Sequence, residues 1–161
     1  MTETLEPLLR RAITIAADAR AHGNHPFGAL LADASGRVLL EAENTVVTDR
    51  DITGHAETNL VRLAWRELPP ERLAATTLVT SCEPCAMCAG AIYWAGIGAV
   101  AFALAESSLK ALTFDDPGNP TLDLPSRTVL GAGQRRIAVT GPALEDEARA
   151  PHVGFWRAAI R

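Results

Sequence analysis

With 161 residues, 48% hydrophobic and 21% charged, the chain is long enough for one filled core, and a single domain over residues 1–161 is expected. No run of about twenty apolar residues occurs, so no membrane association is expected. The formal net charge of −4 argues against a broad phosphate-binding surface, so a nucleic-acid partner is not expected. The three cysteines cluster within Cys82–Cys88, which is no disulfide framework. Residues 1–11 carry Glu3 and Glu6 where a secretory leader would be basic and then apolar. Both features predict a cytoplasmic protein.

Leu5, Leu8, Leu9, Ala12, Ile13, Ala16 and Ala19 recur at helical spacing and predict an opening amphipathic helix, ended by Gly23 and Pro26. Residues 28–33 and 37–43, separated by Ala34-Ser35-Gly36, read as a β-hairpin. His55 opens the next helix, whose apolar face is Leu60, Val61, Ala64 and Trp65 and which Pro69-Pro70 stop. Residues 76–80 are β-branched and read as a strand. A helix from about Cys85 to Ala95 follows, closed by Gly96 and Gly98. The continuous apolar run 99–104 predicts a strand buried on both faces. Residues 107–112 suit a short helix, 118–125 a loop and 136–140 the last strand, with helix again from Glu145. Alternating strands and helices of this kind imply an α/β layered domain with a mixed sheet.

The chemistry concentrates in two places. Cys85 and Cys88 are three apart, so in the first turn of a helix their thiols face the same way. There the free N–H groups and the positive dipole end favour thiolate. His55, at the start of the other helix, can supply a third ligand. One histidine and two cysteines leave a fourth position open, the arrangement of a catalytic zinc site rather than a structural one. Cys82 precedes the helix, and His22, His25 and His152 show no paired ligand spacing, so these are poor candidates for a fourth ligand.

A lone Cys-x-x-Cys would favour a redox pair or structural zinc. His55-Ala56-Glu57 on a separate helix, and Pro84 directly before Cys85, shift the reading to catalytic zinc. Zinc with two thiolates and a neutral imidazole has a net charge near zero, so it acidifies a bound water less than a three-histidine site does. Such a site gains from a nearby base. Glu57 fits that part, because burial would raise its pKa and let it hold a proton for delivery.

The pattern His55-x-Glu57…Pro84-Cys85-x-x-Cys88 is similar to the signature of zinc-dependent nucleobase deaminases. Further matching stretches are Pro26-Phe27-Gly28-Ala29, Asn44, Gly54 to Glu57, Thr80 to Cys88, and Ala89 to Trp94. With these the chain resembles the cytidine deaminase-like superfamily, in the branch of small bacterial guanine deaminases and tRNA adenosine deaminases. The resemblance implies a three-layer α/β/α sandwich around a central five-stranded mixed sheet. It also implies one zinc ion per chain and a homodimer. The implied reaction is hydrolytic: an activated water adds at an amidine-like ring carbon, Glu57 shuttles protons to the ring nitrogen and the departing amine, and ammonia leaves.

By the same resemblance Asn44 reads the edge of the base, the Ala56 N–H binds a base carbonyl, and Phe27 packs on the ring. Trp94 would close over a purine, and a carboxylate of Phe114-Asp115-Asp116 would accept hydrogen bonds from guanine N–H groups. On spacing alone Asn44 also reads as a turn residue, Trp94 as helix-face core and Asp115-Asp116 as an acidic turn. The tail differs from the guanine deaminase pattern, but Phe155 and Trp156 could form a lid. Thr53-Gly54 replaces the commoner pair before the histidine. Guanine is the expected substrate, with isoguanine, cytosine analogues and aminotriazines sharing the same reactive carbon. The competing readings are a tRNA adenosine deaminase and, in another class, a non-catalytic zinc or redox module.

Overall fold

The computed structural model describes residues 5–114 and 116–156. Five strands form one mixed sheet: β1 (Gly28–Ala32), β2 (Val38–Glu43), β3 (Thr77–Cys82), β4 (Ala99–Leu104) and β5 (Ala138–Thr140), in the order β2-β1-β3-β4-β5. β1 runs antiparallel to both β2 and β3, whereas β3, β4 and β5 are mutually parallel. The β1–β2 connection is a hairpin closed by Asp33, whose Oδ1 accepts from the Ser35 N–H and hydroxyl and from the Arg37 N–H.

The helices divide between the two faces of the sheet. On one face α1 (Leu5–Ala21) packs Leu9, Ala12 and Ile15 against Leu30, Val79 and Ala101. The chain is tight there: a Cβ at Gly28 would lie 2.6 Å from the Ala12 carbonyl and the Ala16 nitrogen. On the other face α2 (Ala56–Glu67) and α4 (Ala86–Ala95) bury Leu60, Ala64, Ala89 and Ile92 against Leu31, Leu78 and Val100. β4 is buried on both sides, as its uninterrupted apolar run predicts. These layers form the α/β/α sandwich. α4 ends at Gly96, which takes the left-handed conformation (φ 74°) of a helix C-terminus.

Several elements depart from expectation. Pro69-Pro70 do end α2, but Pro70 also occupies the first turn of a short α3 (Pro70–Leu73), a position where the missing N–H costs nothing. α5 (Glu106–Thr113) is slightly longer than expected, and α6 (Ser126–Gly131) follows the 118–125 loop. β5 begins at Ala138 rather than Arg136, because β4 offers partners only over Ala99–Ala101. α7 (Glu145–Arg149) runs into a 3-10 turn over Ala150–His152. Among the described residues no helix is long and apolar enough to cross a membrane.

Candidate metal centre and active site

Two helix N-termini meet beneath the ends of β1 and β3. His55 is the N-cap of α2 and Cys85 the N-cap of α4; both have extended backbone and neither side chain caps its own helix. Ser, Thr, Asp or Asn usually fills that position to satisfy free N–H groups. Here the two side chains turn toward one another instead. His55 Nδ1 lies 3.7 Å from Cys85 Sγ and 3.5 Å from Cys88 Sγ, and the three donor atoms fall within 4.8 Å of one another. Tetrahedral zinc, with bonds of about 2.05 Å to nitrogen and about 2.3 Å to sulfur, sets those donors about 3.6 Å apart. The donor set therefore fits zinc in type and in spacing. Among the described residues it is the one such cluster.

Hydrogen bonding from Cys88, then from His55, holds the Cys85 thiol down to about 4 against its burial. The same pairing, with burial, pushes Cys88 up. The first deprotonation belongs to the pair, and it lies close to the positive ends of two helices. Glu57, in the first turn of α2, is 5% exposed. Its Oε1 accepts from the Thr80 hydroxyl at 2.8 Å, and its Oε2 lies 3.5 Å from Cys88 Sγ. Burial raises its pKa above the ordinary carboxylate value, opposed by the nearby His55 and by the Thr80 hydrogen bond.

A cavity of about 270 Å³ opens beside this cluster, with His55, Cys85 and Glu57 in its wall. Asn44 and Phe27 also line it. Asn44 is buried, and its Oδ1 accepts from the Val46 N–H at 3.1 Å, so the group it can offer a ligand is its NH₂. Ala56 is fully buried as the first residue of α2, beside the donor cluster.

The other candidates fall elsewhere. Trp94 is 76% exposed in a separate surface groove with Val61, Trp65 and Ala91; it neither lines the cavity nor packs as core. The helix explains this, since Trp94 is seven residues beyond cavity-lining Met87 and thus about 10 Å further along α4. Asp115 lies outside the described residues. Asp116 is buried in the turn after α5, where its Oδ1 accepts from the Gly118 N–H at 2.7 Å, and it is not in the cavity wall. Phe155 and Trp156 are not in the cavity wall but pack on two residues that are: Trp156 on Phe27 and His25, and Phe155 on His25.

Several further lining residues lie outside the candidate set read from the sequence. The Glu106 carboxyl is pushed up to about 7 by burial, then by Cys85, Glu83, Glu57 and Asp123. Glu83, in the Cys82-Glu-Pro-Cys85 run, accepts from the Glu106 N–H, the Ser126 N–H and the Ser126 hydroxyl, so it fixes the starts of both α5 and α6. Gly118 to Leu122 contributes five consecutive residues to the wall. A loop signal was all that the sequence offered for that stretch.

Three protein ligands, a buried carboxylate beside them and an adjoining cavity define a catalytic zinc centre of the hydrolytic type. Residues 2–104 match the family described as cytidine and deoxycytidylate deaminase zinc-binding region, and the chain belongs to that family. It is 45% identical over 148 residues to a probable cytosine deaminase of Schizosaccharomyces pombe, covering 92% of this chain and 90% of that one. It is 41% identical over 112 residues to the guanine deaminase of Bacillus subtilis, covering 69% and 71%. Among solved structures, a guanine deaminase from Nitrosomonas europaea superposes with a TM-score of 0.77 at 30% identity, over 91% of this chain and 81% of that one. The protein is thus a zinc-dependent hydrolase acting on C–N bonds of cyclic amidines.

Proposed function

We propose that this chain, as one domain over its 161 residues, hydrolytically deaminates a free amino-oxo nucleobase. The observation that carries this reading is Glu57, buried beside the His55–Cys85–Cys88 cluster at the wall of a small cavity. At about 270 Å³ the cavity is below the roughly 300–1,000 Å³ of drug-sized ligand sites, which suits a lone base better than a nucleotide in a strand. Guanine and cytosine are the first substrates to test. Guanine, favoured from the sequence, keeps the support of its relatives but loses Trp94 and Asp116 as cavity groups. Cytosine gains from the 45% identity to the yeast relative.

His55, Cys85 and Cys88 would hold the zinc ion, which would supply an acidified water as the nucleophile. The chain's own residues do the rest. Glu57 Oε1 is held by Thr80, leaving the carboxylate to carry one proton from the attacking water to the ring nitrogen and then the second, from the added hydroxyl, to the departing amine. The Asn44 NH₂ and the Ala56 N–H hold the oxo edge of the base. One C–N bond breaks, ammonia leaves, and a carbonyl stands in its place.

The test is ammonia release from guanine, isoguanine, cytosine and ammeline, together with a tRNA anticodon loop, by wild type and Glu57→Gln. The variant is expected to keep one zinc per chain and lose at least about 10²-fold in kcat, the scale of a general acid–base group. Undiminished turnover in Glu57→Gln would remove Glu57 from the mechanism. We further propose a homodimer, with the exposed Trp65 and Trp94 groove as its contact face.

A further inference from the structure

Three buried side-chain polar atoms among the described residues have no hydrogen-bond partner: Asn119 Nδ2, Thr121 Oγ1 and His152 Nε2. Two of these three belong to the same five-residue stretch, Gly118–Leu122, and both of their residues line the cavity beside the zinc ligands. A buried donor without a partner is unfavourable, and native interiors contain few of them. Both residues line one cavity while these polar atoms are closed to water, so they mark side chains that turning toward a bound molecule would complete.

The stretch is also held in place. At its start Asp116 Oδ1 accepts from the Gly118 N–H, and the Asn119 N–H donates to the Asp116 carbonyl at 3.0 Å. At its end Ser126 is tied to Glu83 by two hydrogen bonds. Pro120 fixes φ between the two polar side chains. The flanks of the wall are therefore fixed before any ligand arrives, and its two unpaired polar side chains are left to turn to that ligand.

We propose that Asn119 and Thr121 form the specificity wall of the pocket. An amide NH₂ can only donate, so Asn119 meets an acceptor on the ring, a carbonyl oxygen. The Thr121 hydroxyl, which donates or accepts, completes the adjoining edge. Together with Asn44 they select an amino-oxo base, one that carries its carbonyl on a part of the ring not under attack. The inference rests on the deaminase reading above and narrows it to bases with such an acceptor.

The test uses the zinc-loaded protein with guanine, isoguanine and cytosine as substrates, and calorimetric binding of the deaminated products xanthine and uracil. For whichever base is turned over, Asn119→Ala and Thr121→Val are each expected to raise KM and the product Kd about tenfold, the effect of losing one net hydrogen bond. kcat, zinc content and melting temperature should stay close to wild type, and Thr121→Ser should restore KM. A wall residue with a purely structural role would lower the melting temperature and kcat while leaving KM in place. Should Asn119→Ala fail to fold, Asn119→Asp, which keeps the shape and loses the donor, carries the same expectation. Turnover by wild type with KM and product Kd unchanged in all three substitutions would overturn the wall alone. Wild type that neither binds nor turns over any of the three bases would overturn the deaminase reading, and the wall with it.

Discussion

His152 gives the protein an acid sensitivity whose size follows from its surroundings. Its ring is 2% exposed, lies edge-on to Phe27 at 5.3 Å and stacks on Trp156 at 6.1 Å. The Trp156 indole is a donor only, and its Nε1–H donates to His152 Nδ1 at 3.1 Å, so the proton of the neutral ring sits on Nε2. Burial, helped by the nearby Arg20 charge, lowers the pKa from 6.5 to about 4. At pH 7 folded and unfolded chains both carry a neutral ring, and nothing is at stake. Below pH 6.5 the unfolded chain takes a proton that the folded chain refuses, so stability falls until about pH 4 and then levels off. At about 1.4 kcal/mol per pH unit, that window costs about 3 kcal/mol. For a chain of this length the loss corresponds to roughly 6–12 °C in melting temperature. Other groups titrate in the same range, so the measurement is a difference: urea or thermal unfolding from pH 7 to pH 4 for wild type and His152→Gln, which keeps an acceptor for Trp156 and cannot be protonated. Wild type should lose about 3 kcal/mol more than the variant over that window. A constant difference across it would refute the assignment of a neutral, buried His152.

Thr80→Val removes the 2.8 Å hydrogen bond to Glu57 that opposes the rise in its pKa. The carboxyl then ionises at still higher pH, so the acid limb of kcat/KM should move up by about one pH unit; an unmoved limb would show that Glu57 does not control it. Wild type should sediment at twice 17.1 kDa, and Trp94→Glu, which places a charge on the exposed groove, should sediment at 17.1 kDa with its zinc retained.

The ligand set was readable because its logic is local. Cys85 and Cys88 share one turn, and Glu57 follows His55 by two residues, so spacing alone places each pair at a helix start. The sheet was readable for the same reason: a hairpin turn at Ala34-Ser35-Gly36 marks β1 and β2, and β-branched or continuous apolar runs mark β3, β4 and β5. α6 was not, since Ser126–Gly131 is short, starts after a proline without a side-chain cap and buries little beyond Ser126 and Leu130. Trp94 shows the limit of resemblance, because a matching residue type fixes its place along α4 but not what that place faces within one chain. Glu83 and Glu106 act through tertiary neighbours 20 or more positions away, and Asn119 and Thr121 reach the cavity only through the fold, so no local pattern assigns these residues a role.

Chemistry and the proposed selectivity wall are anchored differently in this fold. The groups that react sit on α2 and α4, whose buried faces (Leu60, Ala64, Ala89 and Ile92, all 0% exposed) form the core on that side of the sheet. Shifting His55 or Cys85 by even a fraction of an ångström would disturb that packing. The 118–122 wall carries no such core. It hangs between Asp116 and the Glu83–Ser126 bonds, and Leu122 is exposed. A substitution there changes which edge of a ring is satisfied, at little cost to the metal seat. Similar chains with different bases in their names, a probable cytosine deaminase and a guanine deaminase, are what such a division allows. Exchanging residues 118–122 between this chain and such a relative is therefore expected to move KM preference among bases while leaving zinc binding intact.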